Sequence, residues 1–174
     1  YRGATPIQSV ILNGATETGV TLYLMDAKMD HGPIVESEKL KVESTATYQS
    51  LLRELAEMSA KLLIATLPKF VSGEIVSREQ DHAAATFTKK FETEDGFVDL
   101  IKDDPVMIDR KVRALNPDPG VYTFVDMKTK NHENIKTPER ENRKIRMKIL
   151  ETTIVEGKLQ LIKTQLEGKK IKTL

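Results

Sequence analysis

The sequence predicts an α/β domain followed by a smaller, mostly β domain. Three observations carry that reading. A strand, a loop dense in Asp, Gly and Pro, a second strand and a long amphipathic helix succeed one another between residues 19 and 71. A second helical run at residues 104–115 is followed by several short β-like runs at close spacing. Between these two blocks, residues 77–90 are polar and show no period, as a connector does.

Thr5–Asn13 reads as a short helix. Thr5 is placed to cap it, Pro6 suits its first position, and Asn13-Gly14 ends it. Gly19–Met25 reads as a strand rich in Val, Thr, Leu and Tyr, and Ile34–Val42 as a second strand on a partly exposed sheet. Thr47–Val71 has the strongest period in the chain. Leu51, Leu55, Met58, Leu62 and Leu67 make one apolar stripe, with Ser44 or Thr45 as cap and Pro68 tightening or kinking the last turn. That stripe is packing surface rather than a ligand box.

Asp104 and Pro105 open the second helix, which buries Val106, Ile108, Val112 and Leu115 and stops at Asn116-Pro117-Asp118-Pro119-Gly120. The runs 121–125, 144–150, 158–164 and 169–173 read as short strands of a small barrel. Residues 127–143 are polar and read as a long exposed hairpin loop. The expected domains are 1–83 and 84–174. The first is thin, because two strands and two helices leave the long helix short of sheet to pack on.

Composition excludes several classes of function. The 174 residues contain no cysteine, which removes disulfides and thiolate metal sites and fits a reducing cytosol. No apolar run approaches the roughly 20 residues of a membrane span, and the first residues show no signal-peptide pattern. Residues 1–86 carry 8 Lys/Arg against 11 Asp/Glu, and residues 87–174 carry 19 against 15. The back half is mildly basic, well short of a nucleic-acid tail. The three histidines lack metal-ligand spacing, and neither a phosphate-binding Gly-rich loop nor a serine nucleophile elbow is present.

The loop from Met25 to Pro33 is the chemically dense segment. Asp26 and Asp30 flank Ala27, Lys28 and the apolar Met29, and His31-Gly32 follow. Ligand sites in α/β sheets favour such loops at strand ends. Gly32 allows close backbone approach to a ligand, and His31 is a candidate base. Asp and Gly are also ordinary turn formers, His31 reads equally as a surface residue, and His82 and His132 read as solvent-facing or capping groups.

Resemblance decides between these readings. Tyr1-Arg2-Gly3-Ala4-Thr5-Pro6-Ile7-Gln8, Thr16-Glu17-Thr18-Gly19-Val20-Thr21 and Met25-Asp26-x-x-Met29-Asp30-x-Gly32 resemble successive blocks of the methionyl-tRNA formyltransferase family. The blocks continue in family order through Gln80-Asp81-His82, Ala85-Thr86-Phe87, Glu94-Asp95-Gly96-Phe97-Val98-Asp99 and Arg113-Ala114-Leu115-Asn116-Pro117-x-Pro119-Gly120. They reach Gly157-Lys158-Leu159 and Glu167-Gly168-Lys169-Lys170. The first three are shared with formyltetrahydrofolate-using relatives in general. The later ones point to the tRNA-directed branch with an appended barrel. Two tryptophan positions of the family read Leu100 and Asp118 here, which bears on packing of the second domain. The 127–143 segment also looks longer than the family's turn.

The resemblance implies an incomplete Rossmann-like α/β formyltransferase domain followed by an OB-like β-barrel domain. It implies transfer of formyl from 10-formyltetrahydrofolate to the amino group of methionine on initiator tRNA, in the cytoplasm and without a metal. The family's catalytic set is an Asn, a His and an Asp. The Asp corresponds to Asp30; the other two have no counterpart in these residues, so the chain alone is expected to be inactive. Asp26, Ala27, Lys28, Met29, Asp30, His31 and Gly32 are expected to hold the pterin, and Lys89, Lys90, Lys144, Arg146 and Lys148 to meet tRNA phosphates. A charged outer barrel face accounts equally for those five. Formylation of an amino sugar or another amine, or a non-catalytic RNA-binding role, stand as alternatives. Dimerisation or strand exchange is expected of so thin a sheet.

Overall fold

A computed structural model describes residues 1–126 and 144–174 and divides the chain into two compact units, Tyr1–Phe91 and Glu92–Leu174. The first unit contains β1 (Arg2–Gly3), α1 (Pro6–Leu12), β2 (Glu17–Tyr23), β3 (Ile34–Lys41), α2 (Tyr48–Val71) and β4 (Phe87–Thr88). The second contains α3 (Pro105–Leu115), β5 (Val121–Asp126), β6 (Lys144–Val155), β7 (Lys158–Leu166) and β8 (Lys172–Thr173), after a 3-10 turn at Thr93–Gly96.

β2 and β3 form an antiparallel hairpin in which Val20 faces Glu38 and Leu22 faces Glu36. α2 lies against this hairpin and touches α1. It buries Leu51, Leu55, Leu62 and Thr66 there, at spacings that keep them on one face. Its start lies later than Ser44 or Thr45. Thr47 is the cap: its hydroxyl accepts from the Ser50 amide at 3.2 Å, and the Ser50 hydroxyl accepts from the Thr47 amide at 3.0 Å. Two strands cover only part of α2, so Leu52, Leu63, Ile64, Leu67 and Val71 stay exposed.

Thr5 does not cap α1 through its side chain. Its hydroxyl donates instead to the Lys89 carbonyl at 2.6 Å. This contact belongs to a larger return of the chain. Ile34 and Arg78 exchange both backbone hydrogen bonds, and β4 pairs in parallel with β1, Arg2 opposite Phe87 and Gly3 opposite Thr88. The polar segment after α2 therefore runs back across the first unit. Two-residue strands are too short to show a period in sequence.

In the second unit Asp104 caps α3 by accepting from the Met107 amide at 2.9 Å. The sheet is antiparallel with order β5-β6-β7-β8, and α3 packs on β5, β6 and β7. Val98, Ile108, Val112, Ala114, Leu115, Val121 and Ile149 are all nearly or fully buried. The core thus closes without tryptophan: Leu100 is half-buried and Asp118 exposed at the two positions in question. Among the described residues the sheet is open and no barrel closes. The expected loop at 127–143 lies outside the described residues. No helix among the described residues is long and apolar enough to cross a membrane.

Candidate functional site

The loop between β2 and β3 is built from the bottom by its closing pair. The Leu24 amide donates to the Pro33 carbonyl at 2.9 Å, continuing the hairpin for one more rung. Gly32 is buried there, and a Cβ on it would sit 1.8 Å from the Leu24 carbonyl oxygen. A glycine here therefore lets the two sides of the loop close. Asp26 organises the far side. Its Oδ1 accepts from the Lys28 amide at 2.9 Å and its Oδ2 meets His31 Nδ1 at 2.6 Å. These two contacts, the His31 bond first, hold the Asp26 carboxyl below the usual carboxylate range.

Asp30 has φ 52°, a left-handed conformation uncommon for a residue with a side chain. Both of its carboxylate oxygens are fixed. Oδ2 accepts from the Gly3 amide at 2.9 Å and Oδ1 from the Tyr23 hydroxyl at 2.9 Å. Each oxygen keeps a further lone pair, so the group remains able to accept a proton. The bond to Asp30 is the main reason the Tyr23 phenol lies above its ordinary pKa, with burial and the charges of Asp30 and Asp26 adding to it. Tyr23 therefore stays protonated and keeps donating through neutral pH.

His31 is half-buried, not a free surface group. Its ring stacks on that of His82 at 3.8 Å between centroids and 8° between planes. His82 Nδ1 in turn lies 3.2 Å from Arg2 Nη2. His82 is exposed as expected, yet it has partners on both sides. Ala27, Lys28 and Met29 are exposed at the loop tip, with Met29 at 67%. Among the described residues no group of three or more His, Asp or Glu side chains is placed to hold a metal ion.

Two family models match this chain: formyl transferase over residues 1–67 and formyl transferase C-terminal domain over residues 90–173. It is 44% identical over 124 residues to the methionyl-tRNA formyltransferase of Chloroflexus aurantiacus, a stretch covering 71% of this chain and 40% of that protein. It is 40% identical over 125 residues to the methionyl-tRNA formyltransferase of Thermotoga maritima, covering 72% and 40%. The chain is a methionyl-tRNA formyltransferase homologue. It spans about 40% of the length of these curated relatives.

Solved structures share the fold. A methionyl-tRNA formyltransferase from Clostridium thermocellum matches with TM-score 0.62 at 18% identity, over 95% of this chain and 63% of that one. HypX from Aquifex aeolicus in complex with tetrahydrofolic acid matches with TM-score 0.65 at 20% identity, over 99% and 31%. At these identities the likeness concerns fold alone. The formyltransferase homologue accordingly consists of a mixed α/β domain followed by a C-terminal β-sheet domain.

The basic residues divide between the units. Lys89 and Lys90 are exposed in the first, with the Lys89 ammonium 5.8 Å from the centre of the Phe91 ring. In the second, Lys144, Arg146 and Lys148 face Asp126, Phe124 and Tyr122 across the β5–β6 ladder, which puts all three on one face of the sheet. The Arg146 guanidinium lies over the Tyr122 ring at 3.7 Å. The sequence places Asp30 in the loop but does not show what grips it: Gly3, Tyr23 and Gln80, the last held in turn by Arg2. Gln80 and His82 sat in a recognised block without a role. Nothing in the local pattern pointed from residue 80 to residue 30.

Proposed function

We propose that this homologue serves formyl transfer from 10-formyltetrahydrofolate to the amino group of methionyl initiator tRNA, with Asp30 as the carboxylate that takes the amine's proton. The observation that carries the reading is Asp30 itself. A left-handed residue with both oxygens fixed by Gly3 and Tyr23 is an expensive arrangement for a simple turn. An amine that attacks a formyl carbon must lose a proton, and a positioned carboxylate suits that step. The formyl donor supplies the one-carbon unit. The exposed loop tip of Ala27, Lys28 and Met29 fits one side of a flat heterocycle. Lys28 contributes no amide there, since Asp26 already accepts from it.

The 174 residues hold Asp30 but no counterpart of the Asn and His that the resemblance calls for, so by themselves they are expected not to catalyse transfer. The second unit is read as the family's OB-like domain, and the cytoplasm as the compartment. Lys144, Arg146 and Lys148 on one sheet face favour an RNA contact for it, with Lys89 and Lys90 adding charge in the first unit. An RNA-binding role without catalysis is the second reading, supported by that same face.

The test is direct. The purified chain is titrated with 10-formyltetrahydrofolate, with initiator methionyl-tRNA, and with a nucleotide-linked amino sugar, and transfer is assayed with each acceptor. The proposal expects folate binding that weakens in Asp30→Asn, and tRNA binding that weakens steeply with salt and with charge removal at 144, 146 and 148. tRNA binding without folate binding would favour the second reading. Sugar binding without tRNA binding would overturn the tRNA assignment, and measurable transfer by the chain alone would overturn its expected inactivity.

A further inference from the structure

We infer that Gln80 is the positioning residue for Asp30, and that Arg2 fixes Gln80 in this role. The inference rests on the reading of Asp30 as the proton-handling carboxylate. Gln80 Nε2 donates to the Asp30 carbonyl at 3.2 Å and to the Gly32 carbonyl at 2.6 Å. Its Oε1 accepts from Arg2 Nη2 at 2.7 Å. One carboxamide thus spans the carbonyl of the left-handed residue and the carbonyl two residues beyond it.

The amide orientation is dictated by its partners. A flipped amide would set Oε1 against two carbonyl oxygens and Nε2 against a guanidinium that offers only donors. Both N–H groups of Gln80 are used on the loop, and Arg2 uses the acceptor. Arg2 also reaches the other end of the loop. The same Nη2 lies 3.2 Å from His82 Nδ1. His82 stacks on His31, and His31 is bonded to Asp26.

This matters for Asp30 because the direction of its side chain follows its backbone. A left-handed peptide held by nothing returns toward ordinary φ, and the carboxylate then swings away from Gly3 and Tyr23. The Gln80 bonds to residues 30 and 32 oppose that return. A misplacement of about 1 Å at a reacting group costs on the order of 10²-fold in rate. A glutamine that merely filled space would not have its carboxamide committed on all three sides.

The experiment uses the 174-residue chain and reads Asp30 through its neighbour. With ¹³C-ζ-labelled tyrosine, the Tyr23 phenol is titrated in wild type, Gln80→Ala, Gln80→Glu, Arg2→Ala, Arg2→Lys and Asp30→Asn. Gln80→Glu is nearly isosteric and keeps the Arg2 contact, but it cannot donate to the two carbonyls. We expect the raised Tyr23 pKa to fall toward its ordinary value in both Gln80 variants and in Arg2→Ala, as in Asp30→Asn, and to be largely kept in Arg2→Lys. The Gly3 amide should lose exchange protection in the same variants. A Tyr23 titration and Gly3 protection unchanged in both Gln80 variants overturn the inference. Loss in Gln80→Ala alone, with Gln80→Glu like wild type, also overturns it, because bulk rather than hydrogen bonding would then be the cause. Failure of the functional reading shows separately: 10-formyltetrahydrofolate would bind Asp30→Asn and wild type alike while the Tyr23 shift still depended on Gln80.

Discussion

Tyr23, the last residue of β2, donates its hydroxyl to Asp30 at 2.9 Å, so the strand that leads into the loop also holds the Asp30 carboxylate. The bond raises the phenol above its ordinary pKa. A folded-state pKa above the unfolded one gives stability that is complete below about pH 10 and is lost as pH rises through the folded value. Tyr23→Phe should therefore lower stability near neutral pH by about 1 kcal/mol and remove this part of the alkaline fall. Urea denaturation at pH 7 and above pH 10, in both proteins, checks it.

Asp26 behaves with the opposite sign. Its carboxyl is lowered, first by the His31 bond and then by the Lys28 amide. The stabilisation is present above the ordinary carboxylate value and disappears as pH falls through the lowered one. His31→Ala should raise the Asp26 pKa toward the ordinary value and move its acid transition upward. Carboxyl ¹³C titration between pH 2 and 6 would read this. An Asp26 titration identical in both proteins would contradict the contact.

Gly32→Ala should be severe. The added methyl meets the Leu24 carbonyl oxygen at 1.8 Å, and that oxygen belongs to backbone that cannot rotate away. A loss of about 3 kcal/mol or more is expected, read as a lower urea midpoint together with loss of the raised Tyr23 pKa.

Ile149→Ala in β6 and Leu51→Ala in α2 probe the two cores. These side chains are 0% and 1% exposed. Each truncation should cost about 2–5 kcal/mol. Hydrogen exchange followed residue by residue should place the loss in the second unit for Ile149 and in the first for Leu51.

Much of the fold was legible because its elements carry strong local patterns. α2 shows eight apolar residues at helical spacing, and α3 carries its own Asp-Pro start and Asn-Pro stop. The strands of the hairpin and of the four-stranded sheet emerged within a few residues of their bounds, although β6 runs on to Val155, past the expected Leu150. The loop was legible as a place where Asp30 sits. The grip on Asp30 was not. One of its donors, the Gly3 amide, lies 27 residues earlier, and its backbone is held by Gln80, 50 residues later. Periodicity carries no information at such distances. Thr5 shows the same limit: a good local cap by type, its hydroxyl is claimed by Lys89.

The uncovered side of α2 makes a prediction of its own. Leu63, Ile64 and Val71 are 47%, 75% and 78% exposed. Apolar surface of this kind favours association. The 174-residue chain should show a concentration-dependent mass in sedimentation equilibrium, and Ile64→Lys with Val71→Lys should return it toward monomer without altering the Tyr23 titration.

The return of residues 78–89 to the start of the chain sets a timetable for folding. Arg2 meets Gln80 across 78 residues and Gly3 pairs with Thr88 across 85. The β2–β3 hairpin and α2 need only near neighbours and close early; contacts this distant in sequence bear the full cost of loop closure and form late. During synthesis the segment holding Asp30 leaves the ribosome well before the glutamine that steadies it. Until that residue arrives the Asp30 and Gly32 carbonyls lack their Gln80 donor, so the full set of contacts around Asp30 is among the last features of the first unit to mature.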